Sequence, residues 1–361
     1  MNEEAESSFS NGSLIPGIPN EIALTCIARV PRSNHPYLHL VSRSWRSLLR
    51  SHSFYDVRSQ LSSSVQPFIY ITVRPFSSSS FQWLLIDPRA PNPKRLHPLP
   101  PPPFSSTGSS CAVLGPRIFV LGGSVSDVPS STVWIFDARF NRWEIGPSMR
   151  VSREFSAAGA LDGKIYVLGG CLADSFARSS SWAEVLDPAS GSWSPVPSPV
   201  DVQEKWMHSS AVLGGKLFAM ADRGGVIYDP AASAWTNVST ELDLGWRGRA
   251  AAVDGILYCY DNLGKIRGYD EKEDKWEELK GIEKELPKFL YGATLADLGG
   301  GRLFVAWEGK GRGKDMEIGC AEIETVRESG GGLRGSIVWS DIVNLAVPRR
   351  STIVNCLAVG L

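Results

Sequence analysis

A unit of short strands recurs along most of the chain and limits the folds that are open to it. In the clear copies an apolar strand ends in Gly-Gly, the next strand ends in Asp, and a Trp follows six residues after that Asp. The two complete copies are 118–123 with 134–137 and Trp143, and 165–170 with 184–187 and Trp193. Two more copies lack the glycine pair, at 226–229 with Trp235 and at 266–270 with Trp276. Four short strands cannot bury both faces of their sheet alone, so the repeat predicts radially stacked copies, a β-propeller.

The spacing of the aspartates that end the third strands supports a propeller. They recur about every 40 to 50 residues, which is the length range of a blade, at Asp87, Asp137, Asp187, Asp229 and Asp270. Over residues 67–361 the pattern resembles the kelch repeat, whose marks are the double glycine, an aromatic residue in the third strand and the later Trp. The glycines allow a tight bend or a close approach after the second strand. The Trp supplies a large ring to the seam between blades.

Counting the groups of strands predicts six blades. Five groups have all four strands, at 107–147, 153–198, 206–239, 247–280 and 288–343, the last with a basic glycine-rich insertion at 309–314. Residues 67–102 supply only three strands, while a C-terminal segment at about 352–360 matches the first strand of the other groups. Pairing the two completes a sixth blade and removes two open edges. We therefore expect a mainly β fold, a six-bladed kelch-type propeller at 67–361 closed by both ends of the chain.

Residues 14–60 do not follow the propeller pattern and predict a small all-α module. A segment with two prolines, 14–19, precedes apolar residues at helical steps between Ile22 and Val30. A second stripe at steps of three and four residues follows Pro36, at Leu38, Val41, Trp45 and Leu48. About 45 residues of helix bury too small a core to be stable alone, so such a module is marginal until it binds a partner. The polar stretch 1–13 in front of it is expected to be disordered.

The order of the proline segment, the first helix and the run from Leu38 to Leu49 resembles the F-box. The resemblance implies docking on a Skp-type adaptor, which joins a cullin-based ubiquitin ligase. Carried over by position, the adaptor contacts are Ile15, Pro16, Ile18, Pro19, Ile22, Ile27, Leu38, Val41, Trp45 and Leu48. The alternative is that the helical members of this set form only the internal core of the module. The proline segment fits a core less well, because an exposed, rigid apolar strip indicates a partner.

The turns that lead into the first strand of each blade are rich in arginine and aromatic residues. The repeat brings these turns to one face of the ring, where binding residues are expected. Arginines interleaved with aromatics suit a protein partner and favour an acidic or phosphorylated stretch. The candidate target-binding residues are Arg153, Trp206, His208, Trp246, Arg247, Arg249, Tyr291 and Arg349. The alternative is that these side chains brace neighbouring blades.

Composition and motifs argue against several other classes of protein. The net charge of −1 gives no reason to expect a nucleic acid or an anionic membrane as partner, and no apolar run reaches the length of a spanning helix. The five histidines have no metal-binding spacing, and the G-x-S-x-G motif does not occur. We therefore expect no catalytic site, cofactor or metal. The six scattered cysteines fit a reducing compartment inside the cell, the cytoplasm or the nucleus.

An F-box together with kelch repeats is typical of the plant F-box/kelch-repeat proteins. The resemblance implies the substrate-recognition subunit of an SCF-type (Skp/cullin/F-box) E3 ubiquitin ligase. In such a complex partner proteins carry out the ligation and this chain contributes proximity. Two alternatives remain: a kelch scaffold without ligase function, whose front helices pack against the first blade, and a propeller enzyme. No motif identifies the target protein.

Overall fold

The computed structural model describes residues 13–61, 65–76, 80–91, 94–172, 182–198, 207–221, 224–261, 263–309 and 315–361. Residues 1–12 of the stretch 1–13 that was expected to be disordered, and residues 310–314 of the glycine-rich insertion, therefore lie outside the described residues. The described part is mainly β, with a small group of helices in front of a propeller.

The front of the chain, residues 14–60, folds into helices and is called the helical module here. Its α-helices are α1 (Asn20–Ala28), α2 (His35–Leu38), α3 (Arg43–Leu48) and α4 (His52–Gln60), with a 3₁₀ turn at Arg32–Asn34. Serine hydroxyls cap α3 and α4, where Ser42 accepts a hydrogen bond from the backbone N–H of Trp45 and Ser51 accepts one from that of Phe54. The buried core of the module consists of Leu14, Ala23, Ile27, Ala28, Leu48, Leu49, Phe54 and Tyr55.

Four of the propeller sheets are separate and four-stranded. Sheet 1 contains Pro67–Arg74, Gln82–Ile86, His97–Pro98 and Thr352–Gly360. Sheet 2 contains Ser110–Leu114, Arg117–Leu121, Val133–Asp137 and Arg142–Ile145. Sheet 3 contains Ala157–Leu161, Lys164–Leu168, Ala183–Asp187 and Ser192–Val196. Sheet 4 contains Met207–Leu213, Lys216–Ala221, Gly225–Asp229 and Ala234–Asn237.

The remaining propeller strands form one eight-stranded sheet, sheet 5. Its strands are Ala250–Val253, Ile256–Tyr260, Ile266–Asp270, Lys275–Lys280, Tyr291–Asp297, Arg302–Gly309, Asp315–Arg327 and Leu333–Pro348. Two antiparallel groups of four strands are joined by a short parallel pairing of Leu279 with Leu333 and of Lys280 with Arg334. The described residues thus contain four separate four-stranded blades and not the six that were expected. The physical reason is that the strand Leu333–Pro348, which is 16 residues long, extends far enough to pair with Lys275–Lys280, the outer strand of the first group of four in this sheet.

Short elements complete the described structure. Two two-stranded ladders pair Ser124–Val125 with Val128–Pro129 and Arg153–Glu154 with Cys171–Leu172, and helix α5 covers Thr240–Gly245. None of the helices in the described ranges combines the length and apolar character that crossing a bilayer requires.

The first strand of each group of four strands contacts the first strand of the next group, so these strands form a closed circle. Thr352–Gly360 serves as the first strand of sheet 1 and contacts Ser110–Leu114, the first strand of sheet 2. The same C-terminal strand pairs antiparallel with Pro67–Arg74, so both ends of the propeller segment meet in sheet 1. Hydrogen bonds of 2.9 and 3.0 Å between the backbones of Gln66 and Leu361 extend this ladder. The group that begins at residue 67 therefore gains a fourth strand, and its edge is covered.

The glycine pairs after the second strands are required by the backbone. Gly122 and Gly169 have φ values of 62° and 63°, in the left-handed region that other residues rarely adopt. A Cβ on Gly122 would lie 2.3 Å from the carbonyl oxygen of Arg153, and one on Gly170 would lie 2.5 Å from that of Glu154. Both the bend and the close approach predicted from the sequence are confirmed.

The recurring Asp and Trp have separate structural roles. Each Asp forms a turn after its strand by accepting a hydrogen bond from the backbone N–H two residues later, at Asp87, Asp137, Asp187, Asp229 and Asp270. The Trp links neighbouring sheets: Nε1 of Trp193 donates to the carbonyl of Pro147, and Nε1 of Trp235 donates to that of Pro197, each at 2.8 Å. Both carbonyls follow the last strand of the preceding sheet, so the Trp lies at the seam as predicted.

The helical module is attached to sheet 2. Phe140, in the turn after the third strand of that sheet, packs against the core of the module. Its ring contacts Tyr55 and His52 edge-on, with centroid distances of 5.4 and 4.9 Å, and the Tyr55 hydroxyl donates a hydrogen bond of 3.1 Å to the carbonyl of Arg139. The two modules therefore share apolar and polar contacts.

Candidate functional site

The helical module exposes large apolar side chains in two short clusters. Ile18 lies in the turn before α1 and Ile22 in its first turn, and they are 38% and 55% exposed. Tyr37, Leu40 and Val41 lie at and after α2 and are 70%, 76% and 58% exposed. Side chains of this kind contribute most to binding when a partner removes them from water. Their concentration in one small module indicates a docking surface.

The proline segment is held rigidly in front of these clusters. The Nε1–H of Trp45 donates a hydrogen bond of 2.7 Å to the carbonyl of Leu14, and the Leu14 N–H donates one of 2.8 Å to Oδ1 of Asn20. A tight turn follows, in which the Ile18 N–H donates to the Ile15 carbonyl at 3.1 Å. Trp45 thus fixes the segment in which Pro16, Ile18 and Pro19 are exposed.

The ten positions inferred as adaptor contacts fall into three groups. Pro16, Ile18, Pro19, Ile22 and Val41 are exposed, and Ile15, Leu38 and Trp45 are partly buried. Ile27 and Leu48 are each only 2% exposed, because α1, α3 and α4 pack around them. These two residues therefore belong to the internal core and are not available as contacts, which corrects the expectation for them.

Tyr37 and Leu40 were missed by the sequence reasoning. A single continuous helix after Pro36 places its apolar stripe on Leu38, Val41, Trp45 and Leu48. The structure instead ends α2 at Leu38 and begins α3 at Arg43, capped by Ser42. Leu40 lies in the break between the two helices and Tyr37 in the short α2, and both side chains are exposed. A serine before Arg43 was the sequence signal that a new helix begins there.

The second candidate surface is one end of the central channel of the propeller. A pocket of about 370 Å³ opens there, between the amino-terminal ends of the first strands. Its wall includes Ser110, Ser156, Met207, Arg249 and Thr352, each at or next to the start of such a strand. The turns before these strands thus meet around one cavity.

Two of the predicted target-binding residues are structural. Arg153 is completely buried, forms an ion pair of 2.6 Å with buried Glu184, and donates hydrogen bonds of 2.8 and 2.7 Å to the carbonyls of Gly169 and Trp182. Trp246 is 2% exposed and packs in the apolar core between sheets 4 and 5. Both side chains brace the blades, and the expectation that they contact the target is corrected, because both are buried inside the propeller.

The other predicted target-binding residues differ in position. Arg249 lines the channel pocket and donates a hydrogen bond of 3.1 Å to the Ile353 carbonyl. Arg247, Tyr291 and Arg349 are exposed, and Arg247 is held by the carbonyls of Asp243 and Trp246. Trp206 and the side chain of His208 lie outside the described residues.

Two further residues of the pocket were not found from the sequence. Arg74 is the last residue of the strand Pro67–Arg74, whereas the candidates predicted from the sequence came only from the turns before the first strands. Phe155 lines the pocket with a φ of 51°, which no sequence pattern indicates. Across the ranges that the structure describes, no group of three or more His, Cys, Asp or Glu side chains is arranged to hold a metal ion.

A larger and more open groove, of about 1000 Å³, runs along the junction of the helical module with sheet 2. Its cations are mostly engaged by the protein itself. Arg139 forms an ion pair of 2.6 Å with Asp137, and Arg46 donates to the His39 carbonyl at 3.1 Å. We therefore assign the groove a role in joining the modules, and regard the channel pocket as the better ligand site.

Comparison with known proteins agrees with both modules. Residues 84–344 match the family described as "FKB95, Kelch-repeats domain", and residues 15–57 match the F-box domain. The chain is 31% identical to the F-box/kelch-repeat protein At4g39580 of Arabidopsis thaliana over 99% of each chain. It is 34% identical to the F-box/kelch-repeat protein At4g39590 of the same plant, over 91% of this chain and 86% of that one. The chain belongs to the plant F-box/kelch-repeat family.

Proposed function

We propose that this chain is the substrate-recognition subunit of an SCF-type E3 ubiquitin ligase. The helical module docks on a Skp-type adaptor, which connects it to a cullin, and the propeller binds the target protein. The observation that carries the proposal is the exposure of Ile18, Ile22, Tyr37, Leu40 and Val41 on a module that matches the F-box. The chain acts by proximity and has no catalytic role of its own, and it works inside the cell, in the cytoplasm or the nucleus.

The exposed apolar set is large enough to support a stable complex. Burying five such side chains at about 1.5–3 kcal/mol each gives a gross gain of about 8–15 kcal/mol. Association costs of about 4–15 kcal/mol oppose this gain. Pro16 and Pro19 reduce the cost, because the segment is already held by Trp45 and loses little conformational freedom on binding.

We propose further that sheet 5 acts as two blades, which makes the ring six-bladed. Each half of sheet 5 is an antiparallel group of four strands, and only two residue pairs join the halves. The circle of contacts between first strands includes one strand from each half. The ring then presents the channel pocket and its surroundings to the target.

The target-binding set that we propose is basic and aromatic. It combines Arg247, Arg249, Tyr291 and Arg349 with Arg74. Guanidinium groups with a nearby phenol favour an acidic or phosphorylated segment of the target.

Co-purification with a plant Skp-type adaptor tests the proposal. The variant Ile22→Lys/Val41→Lys places two charges in the exposed set without touching the core, and we expect it to lose the adaptor that wild type captures. The matched control is Ile145→Lys/Leu263→Lys, which changes side chains on the propeller that are 68% and 80% exposed. Binding by the first variant, or failure of wild type with a panel of adaptors, would favour a kelch scaffold without ligase function.

A further inference from the structure

We propose that the channel pocket binds a small organic anion, a carboxylate or phosphate ester carried on an aromatic or other apolar body. This inference assigns Arg74 and Arg249, which are also members of the proposed target-binding set, to a small ligand that binds in the absence of adaptor and target. The pocket has the size for it. Its volume of about 370 Å³ lies in the range of roughly 300–1,000 Å³ that small-molecule sites occupy.

The charge of the pocket favours an anion. Arg74 pairs with Thr352 in the register of sheet 1, and Arg249 donates a hydrogen bond of 3.1 Å to the carbonyl of the next residue, Ile353. Both arginines line the pocket, and they lie close enough for Arg74 to act electrostatically on Arg249. Among the described residues that line the pocket, none is Asp or Glu.

One carboxylate lies close to this pair without neutralising it. Glu308 accepts a hydrogen bond of 3.1 Å from the Ile353 N–H and acts electrostatically on Arg249. Arg249 is exposed to solvent within the pocket. Partial desolvation by the channel wall lowers its pKa, and the neighbouring Arg74 lowers it further. Two cations against one carboxylate leave a positive site whose guanidinium groups are open to an incoming anion. A planar anion with two oxygens can accept from such guanidinium groups in pairs.

Hydroxyl groups complete the polar side of the pocket. Thr72 is 3% exposed and lines the pocket, and its Oγ1 has no hydrogen-bond partner among the described residues. Buried hydroxyl groups are normally paired, so this atom indicates a ligand or an ordered water. Ser110 and Ser156, 2.8 Å apart, add two more hydroxyl groups to the wall.

An aromatic side chain stands on the apolar side in a strained conformation. Phe155 has a φ of 51° and is 50% exposed, and a bulky residue in this region of φ is an outlier. Gly108 permits the arrangement, because a Cβ there would lie 2.9 Å from the Phe155 ring. Strain of this kind persists where the surroundings enforce it, and it clusters at ligand sites. The ring offers a flat apolar face to the body of the ligand.

Calorimetry with the purified full-length chain tests the anion site. The probes are phenyl phosphate, benzoate, inorganic phosphate and the neutral benzyl alcohol. We expect phenyl phosphate to bind wild type and to bind Arg74→Gln at least tenfold more weakly, with no detectable binding of benzyl alcohol. The matched control is Arg334→Gln, which removes an exposed arginine paired with Glu328 on the outside of the propeller. Equal affinity in wild type and Arg74→Gln, or no binding of any anionic probe to wild type, would overturn the proposal.

A second variant separates the aromatic contact from a purely structural role. Phe155→Gly removes the ring and also relieves the positive φ, so the thermal unfolding temperature should not fall. We expect about a fivefold loss of affinity for phenyl phosphate and no change for inorganic phosphate. An equal loss for both probes, or none for either, would show that Phe155 does not contact the ligand body.

A third probe distinguishes a free small molecule from an acidic side chain of the target. A blocked pentapeptide with a central phosphotyrosine carries the same phenyl phosphate group on a chain that has to leave through the mouth of the pocket. A pocket for a free compound binds this peptide more weakly than phenyl phosphate. Binding of the peptide ten times more tightly would overturn the free-compound form and assign the pocket to a side chain of the target.

Discussion

Arg32 of the helical module donates a hydrogen bond of 2.7 Å to the backbone carbonyl of Ala138, directly after the third strand of sheet 2. The same guanidinium donates to the Arg139 carbonyl at 3.2 Å and to the Tyr55 hydroxyl at 3.1 Å. One cation thus satisfies two carbonyl groups of the propeller from within the helical module. Because hydrogen bonds to charged donors are the stronger ones, this contact helps to fix the orientation of the helical module, with its exposed apolar side chains, on sheet 2.

Arg32→Ala should loosen the junction while the propeller stays folded. Each hydrogen bond to a charged group contributes about 1.5–3 kcal/mol, so we expect faster hydrogen exchange in α2 and α4 and easier proteolysis between the modules. Exchange within sheets 3 and 4 should not change. Arg29→Ala, which removes an exposed arginine of the same module, is the control. Identical exchange in both variants would mean that the contacts of Phe140 and Tyr55 hold the junction without Arg32.

The buried pair Arg153–Glu184 should be costly to break and much less costly to replace. Arg153→Met leaves the Glu184 carboxylate buried without its ion pair, so we expect a loss of about 3–5 kcal/mol in the free energy of unfolding. The double variant Arg153→Met/Glu184→Leu removes both charges and should recover most of that loss. Chemical denaturation gives the free energy of unfolding of wild type, the single variant and the double variant. The exposed pair of Arg142 and Glu144, 3.8 Å apart, serves as comparison, and its loss should cost less than about 1 kcal/mol. A double variant no more stable than the single one would contradict the ion-pair explanation.

The stability of the helical module should fall as the solution becomes acidic. Burial, with Arg58 and Arg32 nearby, lowers the pKa of His35 to about 4. Between pH 6.5 and about 4 the unfolded chain binds a proton at this site and the folded chain does not, so stability decreases as pH falls through this window. A shift of this size corresponds to about 3 kcal/mol.

The pH effect is measured as a difference between wild type and His35→Gln, whose amide can still donate to the Val30 carbonyl that lies 3.3 Å from Nε2 of His35. Hydrogen exchange measures the free energy of unfolding of the module in both proteins. Below about pH 6.5 this free energy should fall less steeply with decreasing pH in the variant than in wild type, and above that pH the two proteins should show the same pH dependence. Parallel curves for the two proteins across this window would show that His35 is not responsible.

Deleting residues 352–361 should destabilise the whole ring and not only its tail. The deletion removes the strand that pairs with Pro67–Arg74, and with it the contacts that this strand makes with the first strand of sheet 2. We expect a single unfolding transition at a much lower temperature when the tryptophan fluorescence of all sheets is followed. Adding the missing strand as a peptide should raise that temperature. A truncated chain that unfolds like wild type outside sheet 1 would contradict closure by this strand.

Features set by local chemistry were predictable from the sequence. The glycine bends, the aspartate turns and the seam tryptophans depend on contacts that each repeat makes with itself or with its neighbour, so their residue types recur. The joining of sheet 5 depends on Lys280 and Arg334 meeting across a long stretch of chain, and neither residue marks a pairing. The burial of Arg153 and Trp246 could not be predicted either, because the sequence of a turn before a strand does not show which way its side chains point.

The pairing of Pro67–Arg74 with Thr352–Gly360 also orders events during synthesis. The ribosome makes one partner strand before sheets 2 to 5 and the other after them. Until the later strand emerges, the nascent ring is an open arc whose first group exposes an unpaired edge. The helical module, by contrast, is complete before any blade is made. Under the proposed function, a growing chain therefore presents its adaptor-docking surface before the ring that would hold a target can close, and translation that stops short of residue 352 yields the first surface without the closed ring.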